Sequence, residues 1–140
     1  DALPIWQTRL VPDGRYKLRL TASDAPGNPG DMIKTATRVS EPVTVDNTPP
    51  DLTNLTTRRG DDGLAIAFTA KDRLSPIDTV YVRANGKGAW QVILPEDLIA
   101  DAAEESYRTT LTDLPDGPFT LSIRVSDTRG NAVYRSVMVK

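Results

Sequence analysis

Residues 115–131 read PDGPFTLSIRVSDTRGN, and residues 12–28 read PDGRYKLRLTASDAPGN. The two align without a gap at an offset of 103 positions, Asp116 against Asp13. They share Pro, Asp, Gly, Leu, Ser, Asp, Gly and Asn, with Tyr16 against Phe119 and Leu20 against Ile123 as conservative matches. Turn residues kept in step across such a distance mark a duplicated unit. In Pro-Asp-Gly, proline presets φ, aspartate bonds nearby backbone and glycine accepts positive φ. A strand with one wet face follows. Phe119, Leu121, Ile123 and Val125 alternate with Thr120, Ser122, Arg124 and Ser126. The first copy alternates Tyr16, Leu18, Leu20 and Ala22 against Lys17, Arg19, Thr21 and Ser23. Asp-x-x-Gly-Asn then predicts a turn into a partner strand, Ala132 to Val139, which makes the unit a β-hairpin.

Such a hairpin does not stand alone. Burying its four apolar side chains gains about 6–12 kcal/mol gross, while fixing its eight-residue backbone costs about 8–16 kcal/mol. It therefore has to pack on a second sheet. The chain ahead of the second copy supplies one. After Pro49-Pro50 an extended segment covers Leu52–Thr57, and a turn at Arg59-Gly60-Asp61-Asp62-Gly63 leads to Leu64, Ile66, Phe68 and Ala70 at period two. Ser75-Pro76 breaks the chain before a strand at Asp78–Ala84. Asn85-Gly86-Lys87-Gly88 connects it to Ala89–Leu94. Residues 95–105, PEDLIADAAEE, read as a short helix or a loop, and Tyr107–Leu111 precedes the hairpin.

About seven strands over residues 49–140 predict an all-β immunoglobulin/fibronectin III-like β-sandwich. The first copy has no such supply. One strand, Ile5–Leu10, precedes it, so residues 1–48 read as about three C-terminal strands of a second, incomplete Ig-like domain, running through VTVDNTPP into a stiff linker.

Composition bounds the chemistry. The chain has no Cys and no His, which excludes disulfides, Cys/His zinc sites, cysteine nucleophiles and a His-dependent serine triad. A net charge of −2, with Lys and Arg spread along the chain, predicts no nucleic-acid partner. No apolar run is long enough to predict a membrane span. No export signal is present in these residues.

The VTVDNTPP segment, the two PDGxYxLxL-type hairpins and the Asp-x-x-Gly-Asn turns resemble tandem Ig-like or fibronectin type III-like modules of bacterial extracellular proteins. SPIDTVYVRANGKGAWQ continuing to LPEDLI (75–99) is similar to the modules C-terminal to large β-propellers in such proteins. The resemblance implies a secreted, extracellular or periplasmic location, upstream domains as partners, and a role as spacer or interaction surface without catalysis or cofactor.

Three sets of residues carry alternatives. Asp97, Asp101, Glu104 and Glu105, near Trp90, are the carboxylates a glycosidase would need, but paired acids require a cleft and these read as a solvated loop. Ser75 reads as a turn residue without a base. No metal is expected. The alternative is Ca2+, because in an Ig-like module the linker enters at the end that carries the loops holding Asp72 and Asp127. That end would gather Asp46, Asn47 and Asp51 with Asp72 and Asp127. A carbohydrate-binding module would use Trp90, Tyr81 and Tyr107 as platforms, Tyr81 facing away from Val80 and Val82. Tyr16, Leu18, Leu20, Val43 and Val45 predict an open apolar face on residues 1–46, covered by self-association, by the complete module or by further sequence.

Overall fold

A computed structural model describes residues 5–86 and 88–140. The described residues form an all-β protein of antiparallel sheets, with two short 3-10 turns and no α-helix. Two compact units divide it, Asp1–Asp46 and Asn47–Lys140.

The first unit holds two separate two-stranded ribbons. β1 (Gly14–Tyr16) pairs with β4 (Val43–Val45), and β2 (Arg19–Ser23) pairs with β3 (Thr35–Val39). The continuous strand expected through Tyr16–Ser23 is thus broken at Lys17-Leu18, where Leu18 and Ser40 exchange hydrogen bonds, Leu18 N to Ser40 Oγ at 3.0 Å and Ser40 N to Leu18 O at 2.8 Å. The strand expected at Ile5–Leu10 is absent. Thr8–Leu10 winds into a 3-10 turn instead, closed by Val11 N donating to Thr8 O at 3.0 Å. The expected apolar face is also divided. Tyr16 lies opposite Val43 in one ribbon, and Leu20 lies opposite Arg38 in the other, so Leu20 and Val39 point to opposite sides. Leu20 is 68% exposed and Val39 54%.

The second unit is a β-sandwich. β5 (Asp51–Gly60), β6 (Gly63–Lys71) and β9 (Glu104–Leu111) form a three-stranded sheet in the order β5-β6-β9. β7 (Ile77–Ala84), β8 (Gln91–Ile93), β10 (Phe119–Asp127) and β11 (Ala132–Val139) form a four-stranded sheet in the order β11-β10-β7-β8. Residues 95–103 form no helix. The backbone of Leu98 takes a positive φ of 70°, and Glu96 N donates to Ser106 O at 2.8 Å.

Alternation builds the core. Leu64, Ile66, Phe68 and Ala70 of β6 face Val80 and Val82 of β7, and Phe119, Leu121, Ile123 and Val125 of β10, within a single buried cluster. Phe68 and Tyr107 stack inside it with centroids 4.9 Å apart. The β5–β6 turn closes at Gly63, where φ is +128° and a Cβ would run into the carbonyl oxygen of Leu111, so only glycine fits. The edge strand β5 carries a register shift between Thr53 and Thr56 with Asn54 at φ 56°, a bulge that spoils the edge for pairing with another chain.

Candidate functional site

Two regions of the second unit gather polar chemistry: one end of the sandwich and the outer face of the four-stranded sheet. At the end, Asp72 follows β6 and Asp127 closes β10. Both are buried, and their carboxylate oxygens lie within 4.8 Å of one another. Each carboxylate organises its own turn. Asp72 Oδ1 accepts from Leu74 N and Ser75 N, both at 2.8 Å. Asp127 Oδ1 accepts from Arg129 N at 2.7 Å and Asn131 N at 3.0 Å, while its Oδ2 accepts from Asn131 Nδ2 at 2.8 Å. Thr128 N donates to Pro76 O at 3.0 Å and links the two turns.

Asp51 opens β5 opposite Lys71 and is exposed. Asp46 ends the first unit, directly after β4, and Asn47 begins the second. Ser75 is buried within the Asp72 turn, its amide bonded to that carboxylate.

Three of the four acids considered for catalysis are tied to local structure by their side chains, and Asp101 only by its amide. Asp97 Oδ1 accepts from Ile99 N at 3.1 Å. Glu105 is buried, and its Oε1 accepts from Asp101 N at 3.0 Å and Ala102 N at 2.8 Å. Glu104 pairs with Lys71 at 2.7 Å, and that hydrogen bond and charge hold the Lys71 ammonium above its ordinary range.

The outer face of the four-stranded sheet is different. Here Arg124 lies directly opposite both Tyr134 of β11 and Tyr81 of β7, and Ser122 lies opposite Ser136 and Arg83. The Arg124 guanidinium carbon is 5.8 Å from the Tyr81 ring centroid and 5.9 Å from that of Tyr134. Arg83 sits 4.3 Å from the Trp90 centroid, and Trp90 in turn lies 6.4 Å from Tyr134. Two guanidinium groups and three rings therefore form one interleaved ladder across β11, β10 and β7, with Trp90 contributed by the residue just before β8. The Nε of each arginine is buried without a hydrogen-bond partner.

Of the three aromatic residues singled out from the sequence, Tyr81 and Trp90 belong to this ladder. Tyr107 does not. It is 2% exposed, on the inner face of β9, where it cannot serve as a platform. Its hydroxyl is buried without a hydrogen-bond partner. Burial first, and the charges of Glu105, Asp97 and Asp78 after it, push the phenol well above its ordinary value of 10.0. Tyr134 and the two arginines were missed at the sequence level. Alternation along β10 puts Arg124 on the wet face, but its ring neighbours follow only from strand order and register.

Compared with known proteins, the chain matches no family model, no curated protein and no solved structure. No described helix is long and apolar enough to cross a membrane.

Proposed function

We propose that this chain is a non-catalytic structural or interaction module of a larger secreted bacterial protein, built on a fibronectin III-like sandwich and preceded by the last strands of a similar domain. The observation that carries the reading is the outer face of the four-stranded sheet, where binding-type side chains are concentrated, while the Asp97 and Glu105 carboxylates are occupied in turns and Glu104 by Lys71. The division into three and four strands supports the fold resemblance. The repeated hairpin supports a second domain of the same kind in residues 1–48, with upstream domains of the parent protein as partners and self-association through residues 1–46 as a further contact. Extracellular or periplasmic placement follows from the resemblance alone. The test is hydrolysis of glycoside, ester and peptide substrates by the purified chain, expected at the rate without protein. Turnover that disappears in Asp97→Asn or Glu104→Gln would overturn the proposal.

A second reading, a module stiffened by Ca2+, is favoured by the proximity of the buried Asp72 and Asp127 carboxylates. Two carboxylates fall short of the 6–8 oxygens that Ca2+ takes, so loop carbonyls and water would complete the shell. Melting at a higher temperature in Ca2+ than in EDTA, with the difference abolished by Asp127→Asn, is the expected result on this reading. Identical melting in both removes it.

A further inference from the structure

We propose that the outer face of the β11-β10-β7-β8 sheet binds an anionic polysaccharide, with Arg83 and Arg124, held against Trp90 and Tyr81, receiving its carboxylates and the exposed ring of Tyr134 receiving a sugar face. The inference rests on reading the chain as an interaction module and names the partner that its most specialised surface fits.

Charge complementarity is the first argument. The outward positions of the three longer strands of this sheet are Thr79, Tyr81 and Arg83 on β7, Thr120, Ser122, Arg124 and Ser126 on β10, and Ala132, Tyr134, Ser136 and Met138 on β11. None of these is acidic; the one carboxylate beside them among the described residues is the exposed Asp78 at the β7 bulge, which accepts from Thr79 Oγ1 at 2.8 Å, in a chain that is net negative at −2. Two other cations of the module are paired with carboxylates, Lys71 with Glu104 at 2.7 Å and Arg108 with Glu96 at 2.9 Å. Arg83 and Arg124 have ring contacts and neither ion pairs nor hydrogen bonds among the described residues. A guanidinium held against rings keeps its planar fork in one orientation, which suits two-point binding of a carboxylate and lowers the entropy cost of forming it.

Position in the sheet is the second argument. Arg83 lies opposite Ser122, while Arg124 two residues along lies opposite Tyr81, so the two charges stand on diagonal sites of one rigid surface. Such spacing fits a polymer carrying regularly repeated charges better than an isolated anion.

The neighbours of the ladder supply the third argument. Hydroxyls of Ser122, Ser136, Thr79 and Thr120 line the same face, the two serine oxygens 3.3 Å apart. Here the centre holds two cations ringed by hydroxyls and aromatic edges, which matches a hydroxyl-rich, carboxylated chain. Tyr134, 63% exposed, leaves aromatic surface accessible to such a ligand.

Affinity electrophoresis of the full chain through gels carrying polygalacturonate tests the proposal. The expected result is retardation that weakens with salt and is absent with fully methyl-esterified polygalacturonate. Arg124→Lys keeps the charge but loses the planar fork, and it is expected to weaken retardation by about tenfold, the equivalent of one charge-assisted contact. Arg135→Lys, on β11 but outside the ladder, is expected to change nothing. Should Arg124→Lys fail to fold, Trp90 emission in a Trp6→Phe chain decides, with a shift expected on adding polygalacturonate and none on adding the esterified polymer. Absence of both retardation and emission change overturns the proposal, as does full retardation of a folded Arg124→Lys chain. Equal retardation by polyglutamate also overturns it, because an acidic peptide would then serve as well. Depolymerisation of the polysaccharide would overturn the non-catalytic reading while leaving the binding face intact.

Discussion

The two copies of the repeated segment, residues 12–28 and 115–131, have the same turn and different strands. In both, the Asp-x-x-Gly turn closes with the same bond, Gly27 N to Asp24 O at 3.0 Å and Gly130 N to Asp127 O at 3.1 Å. In both, the strand before the turn pairs with the strand after it. Beyond that they diverge. The second copy forms one nine-residue strand flanked on both sides, and Phe119, Leu121, Ile123 and Val125 are buried. The first splits into two short strands with separate partners, and β2 is exposed along its whole length. Turn chemistry is therefore local and survives duplication, whereas strand continuity depends on an opposing sheet.

The approach to the strand shows a compensation. Tyr16 OH donates to Pro12 O at 2.6 Å, so the tyrosine fixes the entry into β1. The second copy has Phe119 at this place and lacks the hydroxyl. The equivalent carbonyl, Pro115 O, instead accepts from Arg59 Nη2 at 2.8 Å, and the same guanidinium lies 5.1 Å over the Phe119 ring. One arginine from β5 thus supplies both the missing donor and a stacking contact.

The largest expected difference between the copies is in their matched leucines. Leu121→Ala should cost about 2–5 kcal/mol in denaturant unfolding of the second unit, since the side chain is wholly buried. Leu18→Ala, at a position 41% exposed, should cost less than about 0.5 kcal/mol. Equal costs would break the comparison.

A second difference concerns tyrosine hydroxyls. That of Tyr16 has its carbonyl, and that of buried Tyr107 has none. Tyr107→Phe is expected to raise stability by about 1 kcal/mol, the lower end of the cost of an orphaned buried polar group. The pH dependence has a definite sign. With the folded value raised, the neutral phenol contributes fully below pH 10.0, and that contribution is lost as pH rises toward the folded value. As pH rises above 10.0 the wild type should therefore lose stability faster than Tyr107→Phe in parallel melting curves. A destabilised Tyr107→Phe chain would show that the hydroxyl is satisfied.

The smallest effect sharpens the compensation at the turn. Arg59→Met should cost about 1 kcal/mol, and much less in a Phe119→Tyr background, where a hydroxyl again reaches Pro115 O. A double-mutant cycle with no coupling would refute the exchange of donors.

Much of this architecture was legible because alternation and turn residues agree. The runs at Leu64–Ala70 and Phe119–Val125 carry the buried faces that period two assigns them. Ile5–Leu10 misled because a few apolar residues at mixed spacing become a strand only if a neighbour accepts their backbone bonds. Residues 95–105 stayed open at the sequence level because Pro95 at a possible helix start and the turn-forming acids point different ways. In the structure Asp97 and Glu105 accept backbone amides in non-helical turns, and no helix forms. Tyr107 was legible in principle, since it shares period two with buried Leu111 on β9. The ladder was not. Arg83, Trp90, Arg124 and Tyr134 are far apart in sequence, and only the order β11-β10-β7-β8 and its register bring them onto one surface.

Amide hydrogen exchange followed residue by residue tests most directly whether the second copy is roofed by an opposing sheet and the first is not. The amides of Leu121, Ile123 and Val125 should exchange only through global unfolding of the second unit, while those of Leu20 and Ala22 exchange through local opening many times faster. Comparable protection in both strands, or faster exchange in the second copy, would contradict the account.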